Sequence, residues 1–189
     1  MKFIKYSLLL ACVLFAFSCQ APSSESAETT EEETTEESNA PQERLSPFIE
    51  EQAKIGEIAV AITYSSPAVK GRTIWGDLEK YDAVWRTGAN EATTIEFNTD
   101  VTINGQALAA GKYSLFSIPR EEGEWTVIFN TEWNQWGAYE YDDTKDALRV
   151  DVSPEMQEQS TERLKFSVEG EEVIFNWDKV SWAFSVAAA

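Results

Sequence analysis

The sequence predicts an all-β protein: an antiparallel, jelly-roll-like β-sandwich of about nine short strands behind a disordered acidic N-terminal tether. Three observations predict it. Asn104-Gly105 is a dipeptide that tolerates the two positive-φ positions of a type I′ hairpin turn. Apolar residues alternate on both sides of it, at Ile95, Phe97, Val101, Ile103 and Leu108. Past Leu45, runs of four to eight such residues recur between Gly, Pro, Asn and Ser punctuation with little helical periodicity. A partly closed barrel is the competing architecture.

Strands are expected at 57–64, where Ile58, Val60 and Ile62 share a face, and through the hairpins of 95–118, which Pro119 ends. They continue at 125–129, 148–152, 163–168, 173–177 and 180–186, the last placing Trp182, Phe184 and Val186 on one side. Residues 48–54, 77–85 and 155–159 carry good helix formers and predict short helices or turns. Residues 130–147 form a long polar and aromatic loop, a length usual for functional segments.

Ahead of this domain, at 45–189, lie two different segments. Residues 1–18 have the positive start (Lys2, Lys5) and apolar run of a secretory signal, too short for a permanent membrane span. The run ends in Ala16-Phe17-Ser18-Cys19, which resembles the lipobox of bacterial lipoproteins and marks Cys19 for acylation. The expected location is thus the bacterial cell envelope, with the acylated Cys19 in a membrane and the domain facing the periplasm or the cell surface. Residues 19–44 are a linker almost free of large apolar side chains, and 25–43 hold eight glutamates and no basic residue. Such a segment buries too little to offset its ordering entropy.

Composition narrows the chemistry. A net charge of −18 repels phosphate backbones, so nucleic acid is not an expected partner. The chain has no histidine, and its two cysteines, Cys12 and Cys19, precede the domain. This removes Ser-His-Asp and Cys-His catalysis, His-ligated zinc and thiolate metal sites. Neither a Walker pattern nor a dinucleotide fingerprint occurs, and no cofactor or metal is expected. Asp142, Asp143 and Asp146 crowd together but miss the EF-hand template, whose glycine and glutamate positions fall on Ala147 and Ser153.

The candidate ligand-binding residues fall in three words. Trp85-Arg86-Thr87-Gly88-Ala89-Asn90-Glu91 offers an indole face, a guanidinium fork, an amide and a carboxylate, which suits a sugar or a small carboxylate. The structural alternative pairs Arg86 with Glu91, bends the chain at Gly88 and buries Trp85. Trp133, Trp136 and Tyr141 place aromatic rings on the long loop, either to grip a glycan or to cap the core. Arg72 stands in a glycine-punctuated loop. No catalytic residue is assigned.

The domain resembles a bacterial envelope family, domain of unknown function 2911, from about Leu45 to Val186. The resemblance rests on Leu45-Ser46-Pro47, Tyr64-Ser65-Ser66-Pro67-Ala68-Val69-Lys70-Gly71-Arg72, and the Val84–Thr93, Ala110–Pro119 and Trp125–Asn130 stretches. It continues through Gln135-Trp136-Gly137-Ala138-Tyr139, Tyr141-Asp142, Asp146 and Arg149. Ser66 stands where the family pattern has arginine, so no role for that arginine carries over. The resemblance implies an exported, often lipid-anchored β-domain and brings no activity with it. The functional expectation is a non-catalytic module binding a glycan or other envelope component. The alternatives are a carboxylate-based hydrolase of envelope polysaccharide, with Glu91 and Asp142 or Asp146 as the acid pair, and a structural partner in an envelope protein complex.

Overall fold

The computed structural model describes residues 44–189. Ten strands form two antiparallel sheets that do not close into a barrel. They are β1 (Phe48–Ile55), β2 (Ile58–Ser65), β3 (Ala89–Phe97), β4 (Val101–Ile103) and β5 (Gln106–Leu108), then β6 (Gly111–Ile118), β7 (Trp125–Asn130), β8 (Asp146–Val152), β9 (Glu155–Glu169) and β10 (Glu172–Ala188). The larger sheet runs β1-β2-β3-β6-β7-β8 and the smaller β5-β4-β10-β9. Neighbours in the larger sheet follow one another in the chain, except where the β4–β5 hairpin leaves to pair with β10.

Alternation builds the core as the sequence predicts. Ile58, Val60 and Ile62 of β2, Trp125, Val127 and Phe129 of β7, and Trp182, Phe184 and Val186 of β10 are all buried between the sheets. The Asn104-Gly105 turn has φ of 47° and 77°, as its type requires. Asn104 does more than turn: its Oδ1 accepts the Ser185 amide at 2.9 Å and its Nδ2 donates to the Asp151 carbonyl at 3.2 Å. One turn residue therefore ties β10 of one sheet to β8 of the other.

Two local expectations are overturned, and a third resolves to its turn alternative. Residues 48–54 are strand, not helix, because β1 pairs with β2 along its whole length, from Phe48↔Ser65 to Ile55↔Ile58, across a turn at Gly56. Glu50, Glu51, Gln52 and Lys54 are then exposed residues of an edge strand, whose charge protects it from further pairing. Residues 155–159 likewise belong to β9, with Met156 opposite Val180. In both places ladder partners override local helix preference. Residues 77–85 contain turns without a helix.

The two strands expected at 173–177 and 180–186 are one. The inward phase shifts between Trp177 and Val180, and a bulge at Asp178 (φ 51°) absorbs the extra residue without breaking the strand. Within 130–147 the chain forms a single 3-10 turn, Asp143–Lys145, capped by the Asp142 side chain. The rest of that loop folds back over the outer face of the larger sheet. There Ala138 and Tyr141 pack on Ala92, Phe116 and Ile128.

Candidate functional site

The word from Trp85 to Glu91 is a corner built from backbone and hydroxyls. Trp85 exchanges amide and carbonyl bonds with Ser117 of β6, at 2.8 and 2.9 Å. Thr87, at φ 50°, donates its hydroxyl to Ser117 Oγ at 3.0 Å, and Thr93 Oγ1 donates to the Thr87 carbonyl at 2.9 Å. Thr87, Thr93 and Ser117 are fully buried, so these bonds replace water for groups that need a partner. Positive φ falls on Thr87 and Asn90 rather than on Gly88. Gly88 is required for closeness instead: a Cβ there would sit 2.8 Å from Thr93 Oγ1 and 3.2 Å from the Ser65 carbonyl.

This corner divides the predicted residues. Trp85 is 3% exposed, stacks on Trp177 at 5.6 Å and donates its indole N–H to the Gly88 carbonyl at 3.1 Å. It belongs to the core and presents no face to a ligand. Asn90 serves through its backbone, whose carbonyl accepts the Gly137 amide at 3.0 Å. Arg86 does not pair with Glu91. Its Nε is buried without a hydrogen-bond partner among the described residues, and its charge, with that of Arg72, acts on Glu79. Burial lifts the Glu79 carboxyl to about 7 although both guanidinium groups pull it down. Arg72 itself donates to the carbonyls of Ala68 and Val69 and so holds its own loop.

Glu91 pairs instead with Arg44, whose guanidinium reaches both carboxylate oxygens at 2.8 and 2.6 Å. Ser65 Oγ adds a third donor at 3.0 Å. Burial pushes the Glu91 carboxyl up, but the bonds from Arg44, its own backbone and Ser65 outweigh this and hold it below the usual carboxylate range. Composition assigns Arg44 to the tether, yet this bond fastens it to the domain.

Beside Glu91 the loop becomes a fragment of sheet. The Ala92 amide donates to the Gln135 carbonyl at 3.1 Å, so that Glu91 and Trp136 face each other as in an antiparallel pair. The result is a cleft of about 300 Å³ with Glu91, Trp133, Gln135 and Trp136 on one side and Phe48 and Lys112 among the other walls. Thr63 and Thr94 join through their hydroxyls at 2.6 Å beneath it. Trp136 is 59% exposed and Trp133 43%. Lys112 places its ammonium 4.5 Å from the centre of the Trp133 ring, a cation–π contact.

Of the predicted residues, then, Glu91, Trp133 and Trp136 converge, while Arg72, Arg86 and Tyr141 lie elsewhere. Tyr141 is a structural pin. Its hydroxyl donates to Asp146 Oδ2 at 2.7 Å and accepts from Arg149 at 2.9 Å, and its ring packs edge-on against Phe116. Burial and the Asp146 charge raise its pKa. Asn130 Nδ2 completes the knot at 2.7 Å from Asp146 Oδ1, so Asp146 is occupied. Cys19, with residues 1–18 expected to form a signal and most of the expected linker, lies outside the described residues.

Sequence reasoning missed Arg44, Lys112 and Gln135. A single lysine on the outward side of a strand carries no signal until the loop folds over it. Other hollows, of about 450, 480 and 450 Å³, lie on the β1–β2–β3 face, beside Trp75 and Trp125, and around Asn104, Asp151 and Trp182. The one beside Trp75 also holds Arg120, Glu121 and Glu124, but Trp125 is buried and Trp75 and Tyr81 are half-buried, whereas two exposed indoles mark the Glu91 cleft.

Residues 46–186 match the model of a family described as protein of unknown function, DUF2911. The chain belongs to that family. No curated protein and no solved structure matches it. In this DUF2911 domain, the stretches that carry the resemblance build the corner at Trp85–Glu91, strands β6 and β7, and the Gln135-Trp136-Gly137 arm of the cleft.

Proposed function

We propose that the protein is a non-catalytic, glycan-binding module of the bacterial envelope, anchored through an acylated Cys19, with its binding surface in the Glu91 cleft. One observation carries the binding part: Trp133 and Trp136 stand exposed beside Glu91 and Lys112 on a loop braced against β3. An indole face accommodates the C–H side of a sugar ring, and nearby charged and amide groups meet its hydroxyls. A volume of about 300 Å³ suits one or two sugar units.

The state of Glu91 supports binding over hydrolysis. A general acid must hold a proton near neutral pH, whereas Arg44 and Ser65 keep this carboxylate ionised and occupied. The envelope part is supported by the leader, the lipobox-like Ala16-Phe17-Ser18-Cys19 and the acidic linker.

Glycan arrays and calorimetric titration against envelope sugars test the binding. Recognition should appear in the wild type and disappear in Trp136→Ala. A wild type that stays flat across the array and in calorimetry sinks the proposal. Incorporation of labelled fatty acid, lost in Cys19→Ala, tests the anchor separately.

A further inference from the structure

We infer that the cleft selects acidic sugars, with Lys112 binding the ligand's carboxylate; this rests on the glycan-binding reading and specifies its ligand. Lys112 pairs with no carboxylate among the described residues. Glu96 lies opposite it in the β3–β6 register, yet no ion pair forms between them. The other acid of the cleft, Glu91, is already taken by Arg44. Among the described residues, the ammonium of Lys112 is therefore the charge of the cleft without an ion-pair partner.

Three features turn that charge toward a ligand. Trp133 lies under the ammonium at 4.5 Å and holds it at the cleft that both residues line. Trp136, the more exposed indole, is left open for a sugar ring. Gln135 is 7% exposed, its Nε2 donates to the Glu132 carbonyl at 2.6 Å, and its Oε1 has no donor among the described residues. A buried acceptor without a donor is costly, and on this inference a ligand hydroxyl supplies the donor once the Gln135 side chain, which lines the cleft, turns toward it. The assignment is then a carboxylate on Lys112, a ring on Trp136 and a hydroxyl on Gln135. This describes a sugar bearing a carboxylate substituent rather than a neutral glycan or a plain organic acid.

The test titrates the full-length protein in detergent with a disaccharide of N-acetylglucosamine and with one containing N-acetylmuramic acid, which adds a lactyl carboxylate. Galactose and galacturonate oligosaccharides form a second matched pair. The acidic member of each pair should bind about tenfold or more tightly, the usual worth of one charge-assisted hydrogen bond. That advantage should shrink as salt is raised. It should vanish in Lys112→Gln and persist in Lys112→Arg, with dichroism confirming that both variants fold. Equal affinity for neutral and acidic partners overturns the inference and leaves glycan binding standing. A preference that survives Lys112→Gln overturns the role of Lys112. Binding of no sugar at all removes the glycan reading, and this inference with it.

Discussion

Arg44 and Glu91 stand 47 residues apart in the chain and meet through two contacts, of 2.8 and 2.6 Å, at the rim of the cleft. The side chains are 39% and 41% exposed, so water screens the pair. Its worth to stability is correspondingly small, under about 1 kcal/mol. Because the native carboxyl is held below its ordinary value, whatever the pair contributes is present at neutral pH. It is lost as pH falls through the lowered native value. Arg44→Ala should differ slightly from wild type in urea at pH 7, and the difference should close at strongly acidic pH. A gap of several kcal/mol would mean that Arg44 anchors more than Glu91.

Trp85 and Trp136 sit 51 positions apart and offer a sharp contrast, since one is 3% exposed and the other 59%. Trp85→Ala removes a ring that stacks on Trp177 and leaves the Gly88 carbonyl without its donor, and should cost about 3–5 kcal/mol. Trp136→Ala should change stability by no more than about 0.5 kcal/mol while abolishing sugar binding. Equilibrium denaturation of both variants separates the core role from the ligand role.

Glu79 should make stability fall as pH rises. Its native carboxyl keeps a proton up to about 7, whereas the unfolded one releases it near 4.5, so between those values the folded state binds more protons. The penalty is complete above about 7. Urea midpoints at pH 5 and pH 8 should show the decline, and Glu79→Gln should reduce it. A variant with the same slope as wild type assigns the effect to another group.

Gly88→Ala forces a methyl to within 2.8 Å of Thr93 Oγ1 and 3.2 Å of a backbone oxygen that has little freedom to move. The Thr93–Thr87 bond must yield or the corner must shift, at about 1–3 kcal/mol. Since Glu91 follows three residues later, the same variant should weaken sugar binding. Gly105→Ala makes a useful comparison, because no atom lies within 4 Å of its new methyl and only its φ of 77° is strained.

Much of the fold was legible because period-two alternation is a local property that burial then enforces. Ile58, Val60 and Ile62, or Trp182, Phe184 and Val186, show it directly. What escaped notice depended on partners far away in the chain. Glu50 to Lys54 read as helix until β2 is seen beside them. Asp178 read as a break because a bulge and a turn both interrupt the alternation. At the cleft, residue chemistry flagged Glu91, Trp133 and Trp136, yet the same reasoning admitted Trp85, buried in the core, and Tyr141, packed on Phe116 at the outer face of the larger sheet. Aromatic type alone does not separate a gripping ring from a packing one. Lys112 and Arg44 gain meaning only from residues 21 and 47 positions away.

The loop that carries Trp133 and Trp136 is stitched to β3 by two backbone bonds and closed by the bonds from Thr131 to the Lys145 carbonyl. Its rings are thus mounted on a rigid bracket outside the main core. A substitution at either ring therefore alters the exposed surface of this arm while the double sheet beneath goes on folding unchanged, so surface chemistry and fold stability can be varied separately here.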